Sequence, residues 1–214
     1  MSSSFASLQA AASTLLHWIR EPGAIIQYGG YPALGTVIFL ETGLLAFFLP
    51  GDSLLVIAGF YAAQGSLDIV LLNLLLAPLA IAGDACAYWI GARLGARAMT
   101  QGFGRWLKPE HMAAAATFYD RHGGRAVVLA RFAPLVRTFV PIVAGVAGMP
   151  YRSFATYNAA GGVGWIASMT LTGYFLGTRF PALLHHLEKV IVVVVAISLL
   201  PSVLEVWRAR RSPP

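Results

Sequence analysis

Apolar runs separated by short charged breaks dominate this chain, and their lengths decide how each can lie in a membrane. Residues 53–67 and 69–83 hold 15 uncharged residues each, and residues 138–151 hold 14. As helices these runs reach about 21–23 Å, whereas a bilayer core is about 30 Å thick. Several of them therefore cannot span a membrane alone.

Three longer stretches are predicted to span: 66–92, 153–178 and a C-terminal helix over 181–207. The first requires that Asp68 lies at the start of the helix and that Asp84 is tolerated inside it. Apart from these internal acids, length and apolar content agree with a transmembrane helix in each case.

The shorter runs are predicted to fold back as two re-entrant helical hairpins, 33–64 and 123–148. The first turns at Pro50-Gly51 and the second at Pro134, because proline interrupts helix hydrogen bonding. Irregular backbone at membrane depth is tolerated only where it faces protein or a water-filled cavity. Both hairpin tips should therefore lie inside the protein.

An internal repeat supports this division. A shift of 86 residues lays YWIGAR, which begins at Tyr88, on YFLGTR, which begins at Tyr174. Each repeat, 31–97 and 123–180, contains one hairpin and one span and so crosses the membrane once, which inverts the second copy relative to the first. The predicted fold is an all-α integral membrane protein, a single membrane domain of 1–214 with two inverted repeats.

Two segments lie outside the repeats. Residues 1–30 are interpreted as an N-terminal amphipathic helix at the membrane interface, without the basic start of a cleaved signal peptide. Residues 98–122 form a basic loop, with an amphipathic helix expected after Pro109. The repeats, these two segments and the C-terminal transmembrane helix account for the chain.

Composition agrees with a membrane protein. The chain is 57% hydrophobic and 11% charged, with a mean hydropathy of +0.69, whereas soluble domains are about a quarter charged. Its net charge of +6 concentrates around residues 98–122 and in Arg208, Arg210 and Arg211. By the positive-inside rule, both regions and the C-terminus are cytoplasmic, in a multi-pass topology, and nucleic acid is not an expected partner. The single Cys86 excludes an internal disulfide.

Four charges interrupt the apolar sequence at the predicted hairpin tips. Glu41 and Asp52 begin and end ETGLLAFFLPGD, and Arg131 and Arg137 begin and end RFAPLVR. One such charge at a bilayer centre costs about 2.5–3.5 kcal/mol on the mildest insertion scale. These residues must pair or line water, which indicates an internal polar cavity and a transport site.

The tracts FLETGLLAFFLPGDSLLVIAG, GDACAYWIGARLG and RFAPLVRTFVPIVAGVAGM resemble the DedA family of bacterial inner-membrane proteins, whose VTT domain also occurs in eukaryotic lipid scramblases. The resemblance covers roughly residues 30–180. It implies proton-dependent translocation of a lipid-linked phosphate, notably undecaprenyl phosphate, and opposed hairpins meeting at mid-membrane. The family's functional residues map onto Glu41, Asp52, Arg131 and Arg137. Many relatives have a further proline before PG and Glu in place of Asp52, so the shorter acid changes the reach here.

The chemistry of the residues suggests a role for each. Arg131 and Arg137 are candidate ligands of a phosphate headgroup, because guanidinium stays charged and grips two oxygens at once. Alternatively they only neutralise the two acids. Glu41 is the first candidate proton carrier, and Asp52 is either a helix cap or a proton site. Asp84 either contacts the site or pairs with an arginine of a span.

The same residues are compatible with functions other than lipid transport. A proton-coupled small-ion or drug antiporter could use the same acids, and a structural or assembly role stays open. An intramembrane lipid-phosphate enzyme would need a histidine near the arginines, but none occurs between His17 and His111 or between His122 and His185. Expected partners are the lipid phosphate, protons and membrane lipids, with a homodimer left open. No enzyme activity, cofactor or metal is expected, and Asn158 and Trp165 are interpreted as packing or interface groups.

Overall fold

The computed structural model describes residues 22–43, 51–94 and 109–181, and every regular element there is helical. The elements are α1 (Pro22–Gly43), α2 (Gly51–Ala63), α3 (Ile69–Leu94), α4 (Pro109–His122), α5 (Arg125–Leu129), a 3-10 turn (Ala130–Phe132), α6 (Pro134–Val146) and α7 (Tyr151–Arg179). The all-α class predicted from sequence is confirmed for these residues. The first 21 residues and the predicted C-terminal helix, apart from Pro181, lie outside them.

Helix α3 begins where the apolar pattern places it. Asp68 precedes the helix, and its Oδ1 accepts a hydrogen bond from the backbone N–H of Leu71 at 2.8 Å, as an N-cap does. Within the described residues, its segment Ile69–Arg93 is the one helix that is long and apolar enough to cross a membrane by length and composition. Helix α2 and residues 136–146 of α6 are apolar but shorter.

Helix α7 is longer but more polar. Its 29 residues correspond to about 43 Å, and it contains many glycines, serines and threonines. It packs against α2 and α3 and buries Asn158, Trp165 and Thr170 among its inward side chains. These polar groups explain why α7 is less apolar than α3 despite its length.

The backbone leaves helical geometry at glycine and before proline. Gly30 kinks α1 with φ 52° and ψ −144°, a conformation that glycine adopts readily and other residues rarely. The kink falls at the predicted boundary at residue 30, but α1 is assigned continuously across it. Ala133 is extended, and Pro134 then starts α6, as expected for a residue before proline. The re-entrant course of both hairpins stays a prediction.

The short apolar helix of each half of the chain packs against the long helix of the other half. Gly59 of α2 packs on α7, where a β-carbon on Gly59 would overlap the carbonyl of Thr170 and lie 2.9 Å from the nitrogen of Tyr174. Gly145 of α6 packs on α3, where a β-carbon would overlap the carbonyl of Tyr88. Gly145 and Tyr174 are related to Gly59 and Tyr88 by the offset of 86 residues. Residues at matching positions of the predicted repeat therefore make matching contacts between backbones, of the kind that small residues permit in membranes.

Buried apolar side chains form two clusters. One contains the end of α3 with α5 and α6 and includes Val127, and the other joins α1 and α2 to the first half of α3 and the middle of α7 and includes Trp165. The charged residues introduced above lie between these clusters, next to Val127 and Trp165.

We predict that Gly59→Ala and Gly145→Ala each destabilise the protein. Each added methyl group must displace a backbone carbonyl, and overpacking of this kind costs about 1–3 kcal/mol. Gly164→Ala is the control, because Gly164 is also a glycine within a helix, but nothing lies within 4 Å of its β-position. Thermal unfolding in detergent measures the difference, and equal melting temperatures for all three variants would contradict the packing described.

Candidate functional site

Arg137 of α6 holds two acids from the other half of the chain. Its Nη1 donates to Asp52 Oδ1 at 2.6 Å, and its Nη2 donates to Glu41 Oε1. Glu41 lies near the end of α1 and Asp52 in the first turn of α2. The two acids predicted at the first hairpin tip therefore share one guanidinium of the second.

Arg131 forms a separate ion pair. It lies in the 3-10 turn, and its Nη2 donates to Asp84 Oδ2 on α3 and to Asn158 Oδ1 on α7, the latter at 2.6 Å. The amide nitrogen of Asn158 donates in turn to the carbonyl of Ile81 at 2.9 Å. Asp84 thus pairs with Arg131, and Asn158 orients the guanidinium rather than merely packing.

Trp165 contacts both arginines and one of the acids. Its indole Nε1 donates to Asp52 Oδ1 at 2.9 Å, and its ring centroid lies 4.8 Å from Cζ of Arg137 and 5.7 Å from Cζ of Arg131. Both distances are within the range of a cation–π interaction. Trp165 therefore belongs to the site, which corrects its interpretation as a packing or interface group.

A weak sequence signal for these two residues exists. Asn158 and Trp165 are seven residues apart, so they lie on the same face of α7, two turns from each other. A polar amide and an indole N–H on one face of a helix each require a hydrogen-bond partner when buried. The shared face points to a common polar neighbour.

Most of the site is buried, and Arg137 and Asp52 are its more exposed members, with side chains 12% and 13% exposed. Only 2% of Glu41, 4% of Arg131 and 5% of Asp84 is exposed. Removing one member of such a buried pair leaves an uncompensated charge, which costs about 3–5 kcal/mol. The pairing is therefore a condition for folding as well as a candidate for function.

A small cavity lies within the charged cluster. It measures about 10 Å³ and is lined by polar and apolar side chains: Glu41, Thr42, Asp84, Val127, Arg131, Arg137, Thr138 and Pro141. That is roughly the volume needed for one water molecule. A phosphate group can enter only if the ion pairs separate, so the structure corresponds to a closed arrangement.

Glycine and proline at the two predicted tips position the charges. A β-carbon on Gly51 would overlap the carboxylate of Glu41, so glycine at the start of α2 lets α1 bring its acid close. Pro50 lies outside the described residues. On the other side, the break at Ala133 and Pro134 separates Arg131 in its turn from Arg137 in α6. The two arginines can consequently face different acids.

Metal binding has no structural support in the described ranges. Within residues 22–43, 51–94 and 109–181, no three His, Cys, Asp or Glu side chains are grouped so that they could hold a metal ion. The acids of the cluster are instead engaged by arginine and tryptophan donors.

Comparison with known proteins places this arrangement in a family. The VTT domain family matches residues 49–175, more than half of the chain, and this stretch includes Asp52, Asp84, Arg131 and Arg137. Protein DedA of Escherichia coli strain K12 is 39% identical over 193 residues, which cover 88% of each protein. The chain belongs to the DedA family.

Two other relatives agree. The uncharacterized membrane protein ML0287 of Mycobacterium leprae is 38% identical over 197 residues, covering 92% of this chain and 88% of the relative. The inner membrane protein YghB of Escherichia coli strain K12 is 37% identical over 161 residues, covering 75% and 73%. This DedA-family chain is accordingly a membrane protein. No solved structure matches it.

The Arg131–Asp84 pair gives an asymmetric prediction. Asp84→Ala should destabilise the protein by about 3–5 kcal/mol, because it leaves a guanidinium that cannot lose its charge. Arg131→Ala should cost less, since the remaining carboxylic acid can take up a proton. The double variant should be more stable than Asp84→Ala alone. Unfolding followed in detergent tests this order, and strictly additive effects would show that the two residues do not interact.

Proposed function

We propose that this protein is a membrane transporter that translocates a lipid-linked phosphate, either undecaprenyl phosphate or a phospholipid, across the bacterial inner membrane in a proton-dependent manner. Arg131 and Arg137 bind the phosphate, and Glu41, Asp52 and Asp84 exchange with it and carry protons. The proposal includes a multi-pass topology with a cytoplasmic C-terminus, on the strength of the basic residues around 98–122 and after the last apolar run.

The observation that carries the proposal is the convergence of two guanidinium groups on one cavity and one tryptophan ring. Cζ of each arginine lies within 6 Å of the Trp165 centroid, and both side chains line the same cavity, so one headgroup can contact both. Their donors are now occupied by carboxylate and amide oxygens, such as Asp52 Oδ1 at 2.6 Å from Arg137. Phosphate oxygens suit the same donors and can bind guanidinium in a bidentate manner.

The charge balance supports proton dependence. Fully ionised, the three acids and two arginines of the cluster would carry a net charge of −1. In a water-sized cavity an uncompensated charge is unfavourable, so the closed site is expected to hold one proton. When an anionic phosphate takes the place of the carboxylates, the released acids must also be protonated or hydrated. Substrate exchange and proton uptake are therefore linked.

The two arginines favour an anionic substrate over the alternative of a cation or drug antiporter. A cationic substrate would need the acids free and would be repelled by two adjacent guanidinium groups, which keep their charge. In this cluster Arg131 is as buried as Asp84, and Arg137 is about as exposed as Asp52. An antiporter of cations would gain nothing from that arrangement.

Translocation can be measured in liposomes with a labelled undecaprenyl phosphate whose accessibility from outside is followed over time. We expect Arg131→Ala and Arg137→Ala to reduce the rate about 10- to 100-fold, the loss expected for a charged hydrogen bond. Arg179→Ala is the control, because Arg179 ends α7 and lies over the Phe175 ring, away from the site. Equal rates for both site variants, wild type and empty liposomes would refute transport.

A second prediction concerns protons. Glu41→Gln keeps the size of the side chain and an oxygen acceptor for Arg137 but cannot ionise. We expect this variant to fold with a nearly unchanged melting temperature and to lose the dependence of translocation rate on pH across the neutral range. Initial rates in liposomes buffered at several pH values give the comparison. A wild-type pH profile in the variant would remove Glu41 from the proton pathway.

A further inference from the structure

Two apolar grooves of similar size flank α3. The groove between α3 and α7 has a volume of about 480 Å³, and the groove between α1 and α3 has a volume of about 520 Å³. Large apolar side chains line the first and are open to the surroundings, among them Leu74, 66% exposed, and Val163, 52% exposed. In a membrane protein such surfaces face lipid. The grooves differ in where they lead.

The groove between α1 and α3 is closed at its inner end. One turn beyond its lining residues Phe39 and Leu79, the two helices meet at Gly43 and Gly83. A β-carbon on Gly43 would lie 3.2 Å from the α-carbon of Gly83. Backbone packed this closely leaves no passage from this groove to the charged cluster.

The groove between α3 and α7 ends beside Arg131. Its innermost residue on α3 is Ile81. The side chain of Asn158 donates from Nδ2 to the carbonyl of Ile81 and accepts at Oδ1 from Arg131, so it links the end of the groove to the guanidinium. A β-carbon on Gly162 would lie 2.8 Å from Ile81 Cγ1 and 3.4 Å from Arg131 Nη2. The groove is therefore separated from the guanidinium by the Ile81 side chain packed at Gly162, whereas the groove between α1 and α3 ends at two packed backbones.

The wall of this groove is apolar along its length. Its one amide, Asn73, is occupied inside the protein, since Nδ2 donates to the carbonyl of Ile69 at 2.8 Å and Oδ1 accepts from the hydroxyl of Thr170 at 3.1 Å. From Ile69 to Ile81 the groove follows α3 for about 18 Å. These are the dimensions and chemistry of a site for an extended hydrocarbon chain.

We propose that the groove between α3 and α7 holds the hydrocarbon chain of the carried lipid phosphate while Arg131 binds its phosphate at the inner end. A shift of the Ile81 side chain at Gly162 connects the chain in the groove with the headgroup at Arg131. The cation at the end of the groove selects an anionic lipid over the neutral lipids that would cover any apolar surface. This inference rests on the proposed function and adds to it the route by which the lipid enters from the membrane.

The test uses the full chain in nanodiscs and a lipid phosphate that carries a photoactivatable diazirine in its chain near the phosphate. After illumination, mass spectrometry identifies the labelled residues. We expect labelling in the groove between α3 and α7, chiefly around Ala77 and Ile81, and little in the groove between α1 and α3, which serves as an internal control of similar volume. Excess unlabelled lipid phosphate should remove the labelling, whereas the corresponding alcohol without phosphate should not.

Variants at Gly162 test this connection. Gly162→Leu adds a large side chain where Gly162 packs against Ile81 and Arg131, and it should weaken binding of the lipid phosphate about tenfold, or about 1.4 kcal/mol. Gly162→Ala should have a smaller effect in the same direction, and it serves if the larger variant does not fold. Gly164→Leu is the matched control, since Gly164 is exposed on the same helix with nothing within 4 Å of its β-position. It should bind like wild type.

The outcomes separate the inference from the proposed function. Saturable binding with labelling in the other groove, labelling competed equally by the alcohol, or wild-type binding by both Gly162 variants would overturn the groove assignment and leave transport standing. If wild type shows no saturable binding of the lipid phosphate at all, the proposed function fails together with the inference.

Discussion

The need to give every buried charge a partner governs this structure. A lone buried ion is several kcal/mol less stable than a hydrated one, and removing a single partner from a pair exposes that full penalty. The acids come from α1, α2 and α3, whereas the arginines come from the 3-10 turn and α6. Pairing them fixes the positions of five elements relative to one another, so the charges act as constraints on the fold.

Irregular backbone makes this pairing possible. Gly51 lets the carboxylate of Glu41 approach the start of α2, and the extended Ala133 separates the two arginines. In a continuous helix from 125 to 146, Arg131 and Arg137 would be separated by about 9 Å along the helix axis. Their side chains would point in directions about 120° apart around that axis. The break allows each guanidinium to turn towards its own acid. Gly51 and Pro134 thus allow the charged side chains to reach their partners.

Sequence predicted the helical class, the starts of α3 and α4 and the interruption at Pro134, because apolar period, capping residues and proline are local signals. It also predicted that Glu41, Asp52, Arg131 and Arg137 lie together, since charges in apolar sequence need partners. The sequence did not predict which acid pairs with which arginine, because the pairing depends on the register between helices that are far apart in the chain. The sequence also did not place Asn158 and Trp165 in the site. Burying an uncharged polar side chain costs less than burying a charge, so these residues give a weaker signal that a partner must be present.

The exchanged glycine contacts have a further consequence. The short helix α2 packs on α7 of the other half, and α6 packs on α3. Each half therefore covers part of its own short helix with the long helix of the other half. Part of the hydrophobic core is consequently shared between the halves, as it is between the subunits of an obligate dimer.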